Sequence, residues 1–412
     1  MKRIFLFLFS LSPVLFSCSD DSAQLNEPKP SKFAYHDFTS YADFRKTLIG
    51  IAQISDASER EKQMVVFFDS LEDNQQIPFA MGDSVALLYK GAANSVSWTG
   101  DFTGWSSPGY SGTNIGADTW VSEKVFPSDA RLDYKLIVNG SWILDPANEF
   151  IQYSGFGPNS ELRMPDWQYP TETILGPGVV QGQLSDNFTI QSNASNLNYT
   201  VQYKVYTPAG YESLDDLPVI YVTDGHEYAN NQMGSMITVL DNIIYYGTIP
   251  PVIAVFIDPR NPSNLNENRR GSEYTANIKF VNFVADELVP VIDAQYKTNV
   301  NPDARAILGT SLGGWNSAFF GLKRSDVFQR IAIHSPAFDP AIIEGYETSP
   351  VLPLKIFMST GVINDTQAKA RSMKTVLEAK GYPLSYIEVN EGHSWGNWRA
   401  LIEEPLVYFF GD

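Results

Sequence analysis

The sequence contains a single cysteine, Cys18, and only four histidines in 412 residues. One cysteine cannot form an internal disulfide, so a disulfide-stabilised scaffold is excluded. The histidines and the cysteine do not cluster with the spacing of metal ligands, and we expect no metal site. Basic residues are also few: 29 Lys and Arg stand against 47 Asp and Glu, and no basic run follows Arg3. With a net charge of −18, the chain is not expected to bind nucleic acid, which requires clustered positive charge.

The apolar run at the N-terminus, Ile4 to Phe16, is too short to span a membrane as a mature helix. Because two basic residues precede it, it is typical of a targeting segment. It ends in Leu15-Phe16-Ser17-Cys18, which resembles the lipobox of bacterial lipoproteins. The resemblance implies that residues 1–17 are a signal peptide, and that Cys18 is lipidated and anchors the chain to a membrane.

The polar, proline-containing residues 18–34 are typical of a tether. The stretch Ser19-Asp20-Asp21, with its two acidic residues, is similar to the surface-export signals of some Gram-negative lipoproteins. We therefore expect a lipid-anchored protein of the cell envelope, located in the outer membrane and exposed at the cell surface.

The chain is too long for one ordinary core, and its 43% hydrophobic and 18% charged residues are typical of a globular protein, so two folded domains are expected. Residues 35–167 contain the first. Apolar residues recur every three or four positions from Tyr35 to Asn74, which predicts helices, the first capped by Ser40 or Asp37. From Ser84 to Trp167 the apolar period is two, with turns rich in Gly, Asn and Pro, which predicts a small antiparallel β-sandwich.

The order of motifs in this sandwich resembles the early-set, glycogen-binding domains that precede starch-active enzymes and some esterases. The matching stretches are Gly100 to Trp105, Tyr134-Lys135, Asn139 to Trp142 and Asp145-Pro146. In glycan-binding members of that family, positions matching Trp105, Lys135 and Trp142 hold sugar rings, and Asn159 is a candidate for a further contact. Two alternatives stay open: the tryptophans are core residues, which we expect for Trp142, or the domain shapes the cleft of an esterase, which is the role we favour.

Residues 168–178, with Pro170 and Pro177, form the expected linker to a second domain, residues 179–412. There, apolar strands alternate with amphipathic helices, which predicts an α/β domain with a mostly parallel sheet, helices on both faces and antiparallel first strands. The expected strands are Tyr199 to Tyr206, Pro218 to Val222, Val252 to Ile257, Ala306 to Leu308, Ile331 to Ile333, Leu354 to Met358 and Ser385 to Val389. The expected helices include Phe280 to Tyr296, Thr366 to Lys380 and Trp398 to Phe410.

The stretch Ala306 to Trp315 carries the motif around which the second domain is organised. A short apolar strand runs into Gly-x-Ser-x-Gly, here Gly309 to Gly313, and a helical segment follows. This strand–turn–helix context is that of a nucleophile elbow, in which small neighbours let the chain turn sharply and lift the serine hydroxyl above the sheet. We therefore predict that Ser311 is a nucleophile; the alternative is a tight turn without chemistry.

A serine nucleophile needs a histidine to take its proton and a carboxylate to orient that histidine. In this class of elbow the chain order is Ser, then Asp or Glu, then His. His36 and His226 precede the serine, and His334 ends the next predicted strand. His393 lies on a glycine-containing loop between the last predicted strand and the last helix, so we predict that His393 is the base.

The predicted acid is Asp365. It follows the expected strand Leu354 to Met358, on a loop that leaves the carboxyl end of that strand and so faces the same side of the sheet as Ser311. A cap on the following helix is the competing role. Glu391 is a second candidate acid, but it lies only two residues from His393 and would not easily reach the far nitrogen of that ring.

An oxyanion hole requires N–H donors aimed at the developing charge. One is expected from Leu312, directly after the nucleophile. The other is expected after the earlier strand, where Gly225 permits a turn and the N–H of His226 would point into the site. In that case His226 acts through its backbone, and its ring forms a wall of the cleft.

Together these motifs resemble the esterase-D-type branch of the α/β-hydrolases, which includes enterochelin esterases, feruloyl and acetylxylan esterases and mycolyltransferases. The stretches that carry the resemblance are Tyr206 to Tyr211, Asp224 to His226, Ile257-Asp258, Asn268 to Tyr274, Asp286 to Pro290, Gly309 to Gly314, Asn364-Asp365 and Gly392 to Trp395. They cover nearly the whole second domain, and with the preceding sandwich the architecture is most similar to enterochelin-esterase-like proteins. The resemblance implies an α/β-hydrolase fold, a serine carboxylesterase with Ser311, Asp365 and His393 as its triad, and no organic cofactor.

The resemblance leaves the substrate open between a siderophore-type, enterochelin-like ester and a feruloyl or acetyl ester on a polysaccharide. Arg269 and Arg270 match an Arg-Arg-Gly-x-Glu-Tyr stretch of the family, where one of them either pairs with Glu273 to pin a loop or binds a substrate anion. Trp395 is a further candidate for substrate binding. The alternative function is that of a catalytically inactive surface lipoprotein that binds glycans through its sandwich.

Overall fold

The structure is a computed structural model that describes residues 38–411. The expected signal peptide, the tether and the lipidation site Cys18 lie outside these residues, as does Asp37, one of the two expected helix caps. Among residues 38–411, no helix combines the length and the apolar character needed to cross a lipid bilayer.

Two helices come first and lie against the sandwich. They are α1 (Tyr41–Ala52) and α2 (Ala57–Asp73). Ser40 caps the first helix, since its Oγ accepts a hydrogen bond from the backbone N–H of Asp43 at 3.1 Å. The apolar positions of both helices are buried together with side chains of the first sheet, and the ring of Phe44 stacks on that of Phe79 with centroids 3.8 Å apart. Hydrophobic burial therefore joins the helical segment to the sandwich as one unit.

The sandwich consists of two antiparallel sheets that share a core. In spatial order the first contains β1 (Phe79–Met81), β2 (Ser84–Lys90), β6 (Thr119–Val125) and β5 (Thr113–Gly116). The second contains β4 (Tyr110–Ser111), β3 (Val96–Gly100), β7 (Arg131–Val138), β10 (Gly157–Arg163) and β9 (Ile151–Ser154), with β8 (Ser141–Ile143) paired to β7. The core between the sheets contains Leu87, Trp98, Leu132 and Tyr134, each completely buried.

The second domain is built on one large sheet. Its spatial order is β11 (Gln183–Leu184), β13 (Thr200–Thr207), β15 (Ile253–Asp258), β14 (Val219–Val222), β18 (Arg305–Thr310), β19 (Arg330–His334), β20 (Lys355–Gly361) and β21 (Leu384–Val389), with β12 (Phe188–Gln191) also on β13. A separate hairpin is formed by β16 (Arg260–Asn261) and β17 (Asn264–Asn268). The pairings of β11, β12 and β13 are antiparallel, and from β15 to β21 all neighbours are parallel. The predicted α/β-hydrolase fold class, with antiparallel first strands, is confirmed.

Helices cover both faces of this sheet. They are α3 (Gly225–Tyr228), α4 (Met236–Tyr245), α5 (Arg270–Tyr274), α6 (Ile278–Phe283), α7 (Val289–Gln295), α8 (Leu312–Lys323), α9 (Pro340–Thr348), α10 (Gln367–Ala379), α11 (Trp395–Arg399) and α12 (Glu403–Phe410). Two predicted helices differ. The stretch from Phe280 to Tyr296 consists of α6 and α7 joined by a π-helical turn, Val284–Leu288. The stretch from Trp398 to Phe410 is divided between α11 and α12. Pro405 lies in the first turn of α12, where a missing N–H costs no hydrogen bond, whereas it would break a continuous helix.

The two units meet where β7 of the sandwich lies beside the loop after β21. Arg131 and Glu391 form an isolated parallel β-bridge there. A second contact joins the loop after β20 to the sandwich, since Asn364 Nδ2 donates to the carbonyl oxygen of Asp101 at 2.8 Å. The sandwich therefore touches the loops at the carboxyl ends of two neighbouring strands of the large sheet.

Candidate active site

Ser311 occupies a strained turn between β18 and α8. Its φ of 58° and ψ of −115° lie outside the regions that an ordinary residue prefers. The turn is possible because Gly309 and Gly313 are in contact; a Cβ on Gly309 would overlap the carbonyl of Gly313. The N–H of Ser311 donates to the carbonyl oxygen of His334 on the next strand at 2.9 Å, which holds the turn against β19. The predicted elbow is thus present as a backbone conformation, with the serine at its apex.

The structure brings Ser311, His393 and Asp365 into one hydrogen-bonded chain. His393 Nε2 lies 2.9 Å from Ser311 Oγ, and His393 Nδ1 lies 2.6 Å from Asp365 Oδ1. Ser311, Asp365 and His393 follow the ends of β18, β20 and β21. Asp365 is 54 positions after Ser311 in the sequence, and His393 is 28 positions after Asp365. They meet because carboxyl ends of parallel strands lie at one edge of the sheet.

The carboxylate of Asp365 is completely buried and held by several donors. Its Oδ2 accepts hydrogen bonds from Ser335 Oγ at 2.6 Å, from the N–H of Gly361 at 2.6 Å and from Thr360 Oγ1 at 3.3 Å. Ser335 is oriented in turn by Trp398, whose Nε1 donates to its Oγ at 2.9 Å. These bonds engage one oxygen and leave the other facing the imidazole. The competing role as a helix cap does not apply, since no side chain caps α10.

Glu391, the second candidate acid, does not contact His393. Its Oε1 accepts from Trp167 Nε1 at 3.2 Å, and its Oε2 lies 3.7 Å from Arg131 Nη1. Burial raises the pKa of Glu391 to about 7. Because its contacts are with Trp167 and Arg131, the carboxyl group points toward the sandwich and not toward the imidazole.

The other two described histidines are not positioned as bases for Ser311. His334 is completely buried with Nδ1 2.7 Å from Ser359 Oγ, and burial lowers its pKa to about 3. His226 places its ring beside Asp258, with 3.3 Å between Nδ1 and a carboxylate oxygen, and burial lowers its pKa. That ring lines a separate cavity of about 420 Å³. The expectation that the ring of His226 forms a wall of the Ser311 cleft was therefore wrong, because the side chain lies beside Asp258 at this second cavity.

The N–H groups of Leu312 and His226 lie in the first turns of α8 and α3, where backbone donors lack partners within their own helix. Among the described residues, neither N–H has a hydrogen-bond acceptor. The two turns are in contact, since a Cβ on Gly313 would lie 2.7 Å from Thr223 Oγ1. Both predicted donors are thus unpaired and lie on adjoining turns.

Ser311 and His393 line a cavity of about 540 Å³ between the two units. The second domain also contributes Glu227, Asn268, Arg270, Thr310, Ser394, Trp395 and Trp398. The sandwich contributes Trp105, Asp133, Lys135, Trp142, Ser154, Gly155, Phe156 and Asn159. The three residues predicted from glycan-binding domains therefore lie in the same cavity as the serine, and the sandwich forms one wall of that cavity.

The prediction that Trp142 packs in the sandwich core was wrong. Its side chain is 46% exposed on β8, while the core position is taken by Trp98 on β3. Trp105 is half-buried, and its Nε1 donates to Asp101 at 3.1 Å. Lys135 is also half-buried and has no acidic partner among the described residues. Exposed apolar surface and an unpaired cation at a cavity wall are available to a ligand.

We expect Trp142→Ala to change substrate affinity and leave stability nearly unaltered. An exposed substitution shifts the free energy of unfolding by about 0.5 kcal/mol or less, whereas loss of one aromatic contact raises KM by about 2–12-fold. The matched control is Trp98→Ala, which removes a completely buried ring and is expected to cost about 3–5 kcal/mol. Thermal melting and steady-state kinetics on both variants test this; a large loss of melting temperature in Trp142→Ala would contradict it.

The two adjacent arginines have different positions. Arg270 lines the cavity, donates from Nε to both oxygens of Asp224 at 2.8 and 2.9 Å, and donates from Nη2 to the carbonyl of Thr310 at 3.1 Å. Arg269 is not among the cavity residues; it lies over the ring of Tyr199 and bonds to Glu267. Of the two candidates for binding a substrate anion, Arg270 therefore lies at the cavity and Arg269 does not.

The expected pairing of an arginine with Glu273 was also wrong. Glu273 is buried, and its Oε1 accepts from Tyr199 Oη at 2.7 Å, while the ion pair of this stretch is formed by Arg270 with Asp224. Burial raises the pKa of Glu273 to about 7. A carboxyl group without a direct cationic partner is more stable in the neutral form when it is removed from water.

We expect the stability of the protein to depend on pH through Glu273. Its pKa is raised on folding, so its contribution is complete below the unfolded pKa near 4.5 and is lost as pH rises through about 7. Glu273→Gln should therefore match the parent protein at pH 4.5 and exceed it at pH 8 by about 2–4 kcal/mol. Urea unfolding at both pH values measures the difference, and an identical pH dependence in parent and variant would show that the carboxyl group ionises normally.

Sequence reasoning missed several residues of the site. Glu227 lines the cavity, its Oε2 accepts from Trp395 Nε1 at 2.9 Å, and burial together with Asp224 raises its pKa to about 7. Glu227 directly follows the stretch Asp224 to His226, for which a place at the site was predicted. Because one turn contains all four residues, the sequence could have indicated Glu227 as well. Phe156, completely exposed at the tip of the β9–β10 hairpin, had no such signal. Trp395 was predicted and lines the cavity, but its indole N–H is already bonded.

The fold and the geometry at Ser311 define an α/β-hydrolase of the esterase class. The family model described as "Putative esterase" matches residues 192–409, more than half of the chain. The chain therefore belongs to this esterase family, and it is a carboxylic-ester hydrolase.

Two protein sequences illustrate the relationship. The chain is 26% identical over 237 residues to the uncharacterized protein YjcH of Bacillus subtilis (strain 168), a match that covers 53% of this chain and 97% of that protein. It is 28% identical over 219 residues to an endo-1,4-beta-xylanase/feruloyl esterase of Xylanibacter ruminicola, covering 50% of this chain and 29% of that protein.

Among solved structures, the enterobactin esterase of Shigella flexneri, crystallised in the presence of enterobactin, superposes with a TM-score of 0.66 at 18% identity. The superposition covers 79% of this chain and 92% of that one. At this level of identity the likeness shows a shared fold. Because it covers more of the chain than residues 179–412 contain, it extends into the residues before the large sheet.

Proposed function

We propose that the protein is a serine carboxylesterase that acts through an acyl-enzyme, with Ser311 as nucleophile, His393 as general base and acid, and Asp365 as the orienting acid. The observation that carries the proposal is the continuous hydrogen-bonded chain from Ser311 Oγ through both nitrogens of His393 to Asp365. A hydroxyl becomes a useful nucleophile when a base accepts its proton, and the 2.9 Å separation is within the distance for that transfer.

In the first half of the reaction, Ser311 Oγ attacks the ester carbonyl while His393 Nε2 takes its proton. The carbonyl oxygen becomes an oxyanion, and the unpaired N–H groups of Leu312 and His226 stabilise it. Each such donor contributes about 2.7–4 kcal/mol to lowering the barrier. When the tetrahedral intermediate collapses, the C–O bond to the alcohol breaks and His393 gives its proton to the leaving oxygen.

In the second half, water takes the place of the alcohol. His393 Nε2 removes a proton from the water, whose oxygen attacks the acyl carbon, and the same N–H groups hold the second oxyanion. Collapse of this intermediate breaks the bond to Ser311 and returns the proton to Oγ. Asp365 remains ionised throughout and stabilises the imidazolium that forms in each half.

The cavity lining supports an ester that carries a planar or sugar-like group and a negative charge. Trp105 and Trp142 offer apolar faces, and Lys135 offers a cation that has no acidic partner among residues 38–411. Both a siderophore-type, enterochelin-like ester and a feruloyl or acetyl ester on a polysaccharide meet this description in part. Two relatives act on esters of these two kinds, the enterobactin esterase and the xylanase/feruloyl esterase.

A hydrolysis screen tests the function and separates the substrates. It compares acetylated and feruloylated xylo-oligosaccharides with ferric and iron-free enterobactin, and it includes a chromogenic acetate ester as a generic substrate. Cleavage of the chromogenic ester by the parent and not by Ser311→Ala supports the serine esterase. Binding of maltodextrin without any ester cleavage would favour the alternative, an inactive glycan-binding lipoprotein.

We also propose that the protein is lipid-anchored in the cell envelope, in the outer membrane and facing the cell surface. The support is the lipobox-like Leu15 to Cys18 and the acidic residues that follow it. Cys18→Ala is expected to leave an unprocessed or soluble protein, because the acyl chains attach to that thiol. Membrane fractionation tests the lipid anchor, and proteolysis of intact cells tests exposure at the cell surface. Unchanged membrane attachment of the variant would refute the anchor.

A further inference from the structure

The loops that carry Asp365 and His393 rest on the sandwich as well as on the sheet that they leave. Asn364, directly before Asp365, donates to the carbonyl of Asp101 at 2.8 Å. Gly392, directly before His393, lies so close to Asp101 that a Cβ at this position would overlap the carboxyl group. The geometry at Ser311 therefore depends on two loops that are both in contact with the other unit.

Arg131 makes the most extensive of these contacts. Its side chain is completely buried, and its guanidinium donates to Asp133 Oδ1 at 2.5 Å and to Glu161 within the sandwich. The third nitrogen, Nη1, reaches the second domain, where it donates to Ser394 Oγ at 3.1 Å and lies 3.7 Å from Glu391 Oε2. The contacted residues are placed two positions before and one position after His393.

The charge balance of the sandwich does not require the contact with this loop. Asp133 and Glu161 both bond to Arg131, and Glu161 also bonds to Arg163, so these two cations and two carboxylates balance without Glu391. The planar fork of an arginine can bond in three directions at once, and here the third direction is used for the loop. Gly396, in the first turn of α11, leaves room for the guanidinium; a Cβ there would overlap Arg131.

We propose that Arg131 is a positioning residue for His393: it acts through Ser394 and Glu391 to hold the imidazole at hydrogen-bond distance from Ser311. The inference rests on the proposed role of His393 as the general base. It assigns to the sandwich domain a part in the chemistry, in addition to its part in forming the cavity wall. Arg131 does not line the cavity, so we expect it to act without touching substrate.

The test uses the full chain and a double variant, Glu391→Gln with Ser394→Ala, which leaves Arg131 bonded to Asp133 and Glu161. We expect kcat on a chromogenic acetate ester to fall by about 10–100-fold, because small misplacement of a catalytic group has effects of this size. KM should stay within about twofold, since the only change to the cavity lining is the loss of the Ser394 hydroxyl, which accepts from Arg131 Nη1 at 3.1 Å. The rate at which a fluorophosphonate labels Ser311 should fall in parallel with kcat, because that reaction needs the serine–histidine pair and no substrate contacts.

Arg131→Met and Arg131→Lys test the cation itself. We expect a larger loss of kcat in the methionine variant than in the lysine variant, which keeps the charge and part of the bonding. The methionine variant leaves buried Asp133 without a cation, whereas Glu161 keeps Arg163. If this variant misfolds, the double variant, which keeps Arg131, provides the test. The matched control is Arg305→Met, which breaks the ion pair of buried Arg305 with half-buried Asp293 (2.6 Å) at the opposite end of β18. It is expected to lower the melting temperature without lowering kcat.

The outcomes separate the inference from the proposed function. Parent-like kcat and labelling rate in the double variant would overturn the positioning role while Ser311→Ala still tests the esterase. If Arg305→Met, at a similar loss of melting temperature, loses as much kcat as the Arg131 variants, the positioning role would also be overturned. Retained activity in Ser311→Ala would instead overturn the proposed function. Two results together support the inference. The double variant should show a lower kcat with unchanged KM and melting temperature, and Arg131→Lys should retain more kcat than Arg131→Met.

Discussion

Ser311→Ala is expected to remove nearly all esterase activity, with kcat lowered on the order of 10⁵–10⁶-fold, as for the nucleophile of a comparable triad. The substitution removes the oxygen that attacks the ester and leaves the elbow backbone and its N–H donors in place. His393→Ala should cost about as much, because without the base the hydroxyl keeps its proton. The double variant should be little worse than either single variant, since the two side chains act as one unit.

Steady-state hydrolysis of a soluble chromogenic ester measures all three variants, and thermal melting shows whether they are folded. His226→Ala is a matched control, because it removes an imidazole that faces the separate cavity and keeps the backbone N–H. It should retain far more activity than His393→Ala. Parent-like turnover in Ser311→Ala would mean that the chain is not a serine esterase, and additive losses in the double variant would mean that serine and histidine act independently.

Asp365→Asn is expected to lower kcat on the order of 10⁴-fold, as in the serine-protease precedent. The cause is the orientation of the new amide. Several donors bond to Oδ2, among them the N–H of Gly361 at 2.6 Å, so the amide oxygen will occupy that position. The NH₂ group then faces His393 Nδ1 and donates to it, which places the ring proton on Nε2. A protonated Nε2 cannot accept the proton of Ser311.

The control for Asp365→Asn is Asp339→Asn, which alters a carboxylate at a different position, the N-cap of α9, where Oδ1 accepts from the N–H of Ile342. Asparagine is also a good N-cap, so stability and activity should change little. Kinetics and melting curves of the two variants check the contrast. Near-parental kcat in Asp365→Asn would show that the aspartate is not needed to orient the imidazole.

Features that depend on residues adjacent in the chain could be predicted from the sequence. The elbow at Ser311 is a local turn whose small neighbours and flanking strand and helix are all consecutive. The order of Asp365 and His393 along the chain follows from the order of parallel strands, because each loop at a carboxyl end reaches the same edge of the sheet. The start of α1 at Ser40 is likewise local, since a cap bonds to an N–H three residues away.

Features that depend on how the sandwich packs against the second domain could not be predicted from the sequence. Trp142 has the pattern of a core residue, but its exposure is decided by the other unit, which leaves a cavity on that side of β8. Arg269 and Arg270 are adjacent and chemically identical, and only the path of the chain before α5 directs one to the cavity and the other to Tyr199. Alternation along a strand shows which face a side chain takes, not what lies opposite that face.

The amino-acid sequence alone predicted the fold class of the second domain, the elbow and the candidates Ser311, Asp365 and His393, because these features depend on the apolar period, on turn chemistry or on the order of the strands. The tertiary structure decided that the sandwich forms a wall of the same cavity and that Arg131 reaches the loop of His393. The guanidinium and that loop are 262 residues apart, from position 131 to position 393. Contacts over such separations are set by the complementary surfaces of folded units, and no local pattern in either stretch specifies its partner.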